Sequence, residues 1–184
     1  MNVDELNMNN KITATNLTNL TDLTTLSDVR SELIDIYDNL KNDHSNFEEI
    51  QAKVRNVLER YKGSDWKEHV FVETSSYYKD LFYTSNEFDI VVITWAKGHR
   101  GPIHNHPDNG CNVKVLEGSI TEERYNTQTF EELCTSTYYK NNVMYIDDNL
   151  GYHRMCNTGD TCCITLHIYA PGNYKPVYFN RETY

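Results

Sequence analysis

The sequence has no apolar run of membrane-spanning length, so a membrane-embedded protein is not expected. Basic residues are scarce. Lys and Arg number 17 against 27 Asp and Glu, for a net charge of −10. They form no stripe of the kind that phosphate backbones require, which argues against a nucleic-acid partner. The first twenty residues, MNVDELNMNNKITATNLTNL, lack the basic patch and apolar stretch of a secretory signal. The Asn-Leu-Thr sequons at Asn16 and Asn19 are therefore expected to stay unglycosylated. Cysteines are few and odd in number: 111, 134, 156, 162 and 163, two of them adjacent. That pattern fits free thiols in a reducing compartment rather than a disulfide framework, and a cytoplasmic monomer is expected. What these absences leave is a single-domain protein with a small-molecule ligand.

Residues 1–25 read as a loosely ordered Asn/Thr-rich leader, with residues 26–184 as one domain. Leu26, Val29, Leu33, Ile36, Tyr37 and Leu40 fall at helical spacing, with Asp43 and His44 after them. A second helix is predicted from Ser45, where Ser45 and Glu48 make a capping box ahead of Phe47, Ile50, Val54, Leu58 and Tyr61. From residue 64 the character changes. HVFVET, FDIVVITWA, CNVKVLEGSITEERY, VMYIDD and CCITLHIYA are short β-rich runs punctuated by Gly, Asn, Pro and Asp. Strands without interleaved helices imply a mainly β jelly-roll barrel over 64–184, with a small helical N-terminal portion over 26–62.

The chemistry concentrates in HRGPIHNHPDNGC. On a strand, His104 and His106 would face the same side and offer two neighbouring positions to one metal ion. An HxH pair alone is weak, but Gly98 precedes it and Cys111 and Gly118 follow. That arrangement resembles the glycine frame of the first cupin motif, in which a glutamate normally stands where Cys111 stands. The second half of such a site is a later histidine, and YIDDNLGYHRMCN supplies His153. Asp108, Asp147 and Asp148 stay open as further ligands, and three histidines suit iron, zinc or nickel.

Taken together, ITWAKGH, IHNHPDNGC, KVLEGSITEERY, IDDNLGYHRMCN and TLHIYAP resemble the eukaryotic-type cysteine dioxygenases, thiol dioxygenases of the cupin superfamily. The resemblance implies Fe(II) on His104, His106 and His153. It implies a thioether cofactor between Cys111 and Tyr169, with His167 hydrogen-bonded to the tyrosine hydroxyl and Thr165 and Trp95 behind it. Ala170–Pro171 stands at the family's cis-proline position. The substrates would be L-cysteine and O2, the product cysteine sulfinic acid, and the setting cysteine catabolism and taurine biosynthesis.

One position departs from the family. Its carboxylate-binding arginine lies in a Tyr-x-Arg-x-Leu stretch, and the best match here, YYKDL, puts Lys79 in that role with Tyr77 before it. A competing register on YTSN would put Ser85 there. An ammonium lacks the guanidinium fork, so another small thiol carboxylate such as 3-mercaptopropionate stays open as substrate. A metal-binding cupin without enzymatic activity is the alternative of a different class.

Overall fold

The computed structural model describes residues 21–40, 47–72 and 76–180. The leader up to residue 20, its two sequons, Asp43, His44 and the Ser45 half of the predicted capping box lie outside the described residues. Helix α1 spans Leu26–Leu40 and α2 Phe47–Arg60. The start of α1 is a reciprocal cap that the sequence reading passed over. The Asp28 amide donates to Thr25 Oγ1 at 3.1 Å, and the Thr25 amide donates to the Asp28 carboxylate at 2.9 Å. Leu26, Val29, Leu33 and Tyr37 bury one face of α1 against Val54, Val57 and Leu58 of α2. Asp65, in a 3-10 turn over Asp65–His69, ties the pair together by accepting from the Leu26 amide and the Tyr61 hydroxyl.

Ten strands follow among the described residues: β1 (Tyr77–Thr84), β2 (Asp89–Trp95), β3 (Ile103–His104), β4 (Cys111–Glu117), β5 (Ser119–Tyr125), β6 (Glu132–Tyr139), β7 (Val143–Ile146), β8 (Tyr152–Cys156), β9 (Cys163–Tyr169) and β10 (Tyr178–Phe179). They form two five-stranded sheets, ordered β1-β2-β9-β4-β7 and β10-β3-β8-β5-β6, with antiparallel pairing throughout the named strands. Over its described residues, 69–72, HVFVET does not form the predicted strand. Its first residue closes the 3-10 turn, Phe71 and Val72 stay exposed, and the ladder onto β2 starts only at Tyr77. Strands β1, β6 and β10 were not predicted, whereas His153 does stand on a later strand as expected. Strand β6 has little apolar periodicity to read, because most of its residues are exposed.

Alternation within the first sheet decides where the site can be. On β9, Ile164, Leu166 and Ile168 pack into the cluster beneath the helices. Cys163, Thr165, His167 and Tyr169 are the other set, and Cys163 and Tyr169 pack into the cluster between the sheets. Strand β2 divides the same way, with Ile90 and Val92 on the helical side and Val91, Ile93 and Trp95 inside. The period of two thus assigns each residue to one face. Because helices cover one face and the second sheet the other, β2 is buried along its whole length. The Ala170–Pro171 peptide is cis.

Candidate metal centre

His104 and His153 are directly opposed on β3 and β8, so the ladder itself brings their rings together, with centroids 4.7 Å apart. His106 lies beyond the end of β3 rather than on a strand. Its backbone is held instead by Asp148, whose carboxylate accepts from the His106 amide at 2.7 Å. One potential ligand atom from each of the three rings lies within 4.8 Å of those of the other two.

Each imidazole is anchored through Nδ1. That of His153 lies 2.8 Å from Glu122 Oε1, that of His106 lies 3.1 Å from Asp148 Oδ1, and that of His104 lies 3.1 Å from the Pro102 carbonyl. An acceptor at Nδ1 places the ring hydrogen there and leaves the lone pair on Nε2. Nε2 of His106 is buried with no hydrogen-bond partner among the described residues. A buried nitrogen without a partner is costly unless a cation completes it, so the donor set fits a metal ion. Burial holds His104 and His153 well below the usual histidine pKa, and neighbouring rings push the same way. Both are neutral and available as ligands.

A second chain of polar groups runs from β2 into β9. Trp95 Nε1–H donates to Thr165 Oγ1 at 2.8 Å. Among the described residues, the one acceptor for the threonine proton is then His167 Nε2, at 2.8 Å. An imidazole accepting at Nε2 carries its hydrogen on Nδ1. That hydrogen faces the Tyr169 hydroxyl at 3.3 Å and the Cys111 sulfur at 3.6 Å. Burial keeps His167 neutral, raises the Cys111 thiol pKa and raises that of Tyr169 well above the usual phenol value. Tyr169 therefore holds its own proton, with its oxygen already accepting from behind. Cys111 and Tyr169 are directly opposed on β4 and β9, and Cys111 is a free thiol here.

Lys79 of β1 reaches the same place. It lines a cavity of about 550 Å³ with His104 and Tyr169, and it packs over the Tyr77 ring at 5.5 Å. The lysine is open to solvent through this cavity, yet desolvation at its inner end lowers the ammonium pKa. No carboxylate among the described residues pairs with it. Ser85 is committed elsewhere: it accepts from the Glu87 and Phe88 amides in the β1–β2 turn. Of the two, Lys79 lines the cavity and Ser85 does not. A narrower space of about 20 Å³ shares Lys79, His104 and Tyr169 and adds Tyr77, His153 and His167.

Residues 17–181 match the sequence pattern of the family described as Cysteine dioxygenase type I. The chain belongs to that family. It is 30% identical to "Cysteine dioxygenase type 1" of Rattus norvegicus over 138 residues, covering 70% of this chain and 67% of the relative. It is also 30% identical to the Danio rerio protein of the same name over 141 residues, covering 71% and 68%. Among solved structures, a Klebsiella pneumoniae protein with a double-stranded β-helix domain superposes with a TM-score of 0.52 at 18% identity, covering 61% of this chain and 86% of that one. That likeness carries the fold alone, and the fold is the expected cupin type.

Glu122, Tyr174 and Tyr178 are participants that the sequence motifs did not mark, and Asp148 has a different role from the one expected. Glu122 and Asp148 orient ligand rings. Tyr178, opposite His104 on β10, and Tyr174, whose hydroxyl donates to Asn105, close the site from the C-terminal segment. Asp148, a candidate ligand from the sequence, instead accepts from the His106 amide and is not among the grouped ligand atoms. Asp147 accepts from the Leu150 amide in the turn before β8, and Asp108 is exposed. Glu122 was detectable in principle: two residues after Ile120, it puts a carboxylate on an inward-facing, buried position of β5.

Proposed function

We propose that this chain is a non-haem Fe(II) thiol dioxygenase that converts L-cysteine and O2 to cysteine sulfinic acid. The reading rests on the family and on one observation above the others: three Nδ1-anchored imidazoles converge beside an ammonium with no carboxylate partner among the described residues and a protonated phenol. His104, His106 and His153 would hold the iron without a carboxylate. Iron so held would supply full positive charge for a substrate thiolate and the electron chemistry that O2 needs.

The remaining work belongs to the chain. Lys79 would pair with the substrate carboxylate, and its position on β1 sets how far that carboxylate stands from the histidines. Tyr169 would donate its hydroxyl proton to the substrate carboxylate or to oxygen at the site. The Trp95–Thr165–His167 chain fixes the direction of that donation, because every upstream donor points toward Tyr169. Glu122 would keep His153 in its ligating tautomer.

The Cys111–Tyr169 thioether belongs to the same proposal. Its formation would replace the thiol S–H and one ring C–H by a C–S bond, with two electrons and two protons passing to O2. Opposed positions on adjacent strands support it, since such pairs have Cβ atoms only ~5 Å apart. A cross-link would remove rotamer freedom from Tyr169 and hold its hydroxyl in place. The rival reading, a dioxygenase of 3-mercaptopropionate, keeps the Lys79 contact and loses the substrate amine.

Incubating iron-loaded protein with L-cysteine in air should consume O2 and yield sulfinate in equal amounts. Intact mass should fall by two hydrogens during turnover, and the Cys111→Ser variant should show no such change. Faster turnover of 3-mercaptopropionate than of cysteine would transfer the assignment to that substrate. Absence of O2 uptake with any thiol would leave a metal-binding cupin. The Glu122→Gln variant is expected to bind iron about 10- to 100-fold more weakly, the range for loss of a group that orients a metal-binding histidine; competition with a coloured chelator measures it.

A further inference from the structure

On the opposite face of β4 from Cys111, a second cavity of about 240 Å³ is lined by Lys62, Lys67, Lys114 and Lys140, with Trp66 and Leu116 as apolar walls. Its only acidic lining residue, Glu117, is already paired with Lys140 at 2.8 Å. Four lysines around one cavity stand out in a chain of net charge −10.

Lys114 forms the floor and is 1% exposed. Its Nζ donates to the Leu58 and Tyr61 carbonyls at 2.7 and 2.5 Å, at the end of α2. An ammonium has three hydrogens, so one remains beyond those two. Both acceptors are neutral, the ammonium also lies over the Tyr61 ring at 5.8 Å, and no carboxylate among the described residues contacts it. Glu59 and Asp22, the acids that act on Lys114, are not among the lining residues, and Glu59 is paired with Arg55. At the rim, Lys67 lies over the Trp66 ring at 5.7 Å, and Lys62 donates to the Glu59 carbonyl. Neither contacts a carboxylate among the described residues. The cationic lining is all lysine, and lysine ammoniums hold phosphate as point charges.

We propose that this cavity binds the phosphate group of a small phosphorylated molecule, at a site separate from the histidine cluster. Lys114 supplies the buried charge, Lys62 and Lys67 close over the anion, and Trp66 and Leu116 face the organic portion.

The test titrates inorganic phosphate into the iron-loaded chain at constant ionic strength, with chloride as the balancing anion. NMR follows the Trp66 indole and the Gly63 and Ser64 amides. Saturable shifts of these three signals are expected. The Lys62→Gln/Lys67→Gln double variant should weaken binding by about tenfold or more, from the loss of two charge-assisted contacts. Lys97→Gln, a lysine paired with Asp160 away from this cavity, should bind as the parent does. So should His106→Ala, and that arm separates this site from the iron. Four results would overturn the proposal: no saturation, unchanged affinity in the double variant, equal weakening in Lys97→Gln, or loss of the shifts in His106→Ala. Because both rim lysines are exposed, the double variant should fold, and its unchanged spectral dispersion confirms that.

Discussion

His106→Ala should leave the protein folded but unable to retain iron through gel filtration, with turnover of cysteine at background. Its Nε2 is a buried nitrogen without a partner among the described residues, and truncation removes it without disturbing a ladder, because His106 lies outside β3. Its backbone amide would still donate to Asp148, so the loop should keep its path. The fall in activity should exceed the ~100-fold that loss of an outer-shell partner reaches, because a ligand itself is removed. Iron content and O2 uptake, measured on the same preparation, decide the matter. A variant that holds one iron per chain and turns over at more than a tenth of the wild-type rate would remove His106 from the ligand set.

Lys79→Met carries the second large effect, and it separates binding from folding. The side chain is solvent-accessible and makes no ion pair among the described residues, so stability should hardly change. Truncating one partner of a desolvated charge pair costs ~2–5 kcal/mol. The open cavity mouth places Lys79 at the lower end, about 2 kcal/mol or roughly 30-fold in kcat/KM. Most of that should fall on KM. Lys79→Arg should go the other way, lowering KM for cysteine as the guanidinium fork takes both carboxylate oxygens. An aminothiol without a carboxylate should barely distinguish the three proteins. If Lys79→Met binds cysteine as well as wild type, the substrate carboxylate must find another partner on the cavity wall, and Lys175 is placed to serve.

The site was legible to the extent that its members carry unusual chemistry at fixed spacing. His104, His106, Cys111 and Tyr169 come from compact motifs, and the period of two along β4 and β9 turns spacing into a shared face. Lys79 was harder to place, since a lysine on an exposed-looking strand gives no local sign of the cavity it enters. Asp148 and Glu122 act through hydrogen bonds across 42 and 31 residues, and only the folded ladder creates such pairings. In the fold, the helices declared themselves through apolar periodicity. HVFVET misled because β-branched and aromatic content is a preference for a pleated, half-buried surface, and here Phe71 and Val72 are exposed. The Thr25–Asp28 cap went unread because aspartate replaces the usual glutamate or glutamine at its third position.

The alternation along β9 also sets a rule for how this chain can change length. Deleting one residue near the start of that strand would shift the register and hand Ile164, Leu166 and Ile168 to the cavity. His167 and Tyr169 would then be pressed beneath the helices. Point substitutions can retune the pocket one side chain at a time, whereas a single-codon deletion there would exchange the whole polar wall for a greasy one. Length variation should therefore be confined to the turns, with β9 fixed at its present count.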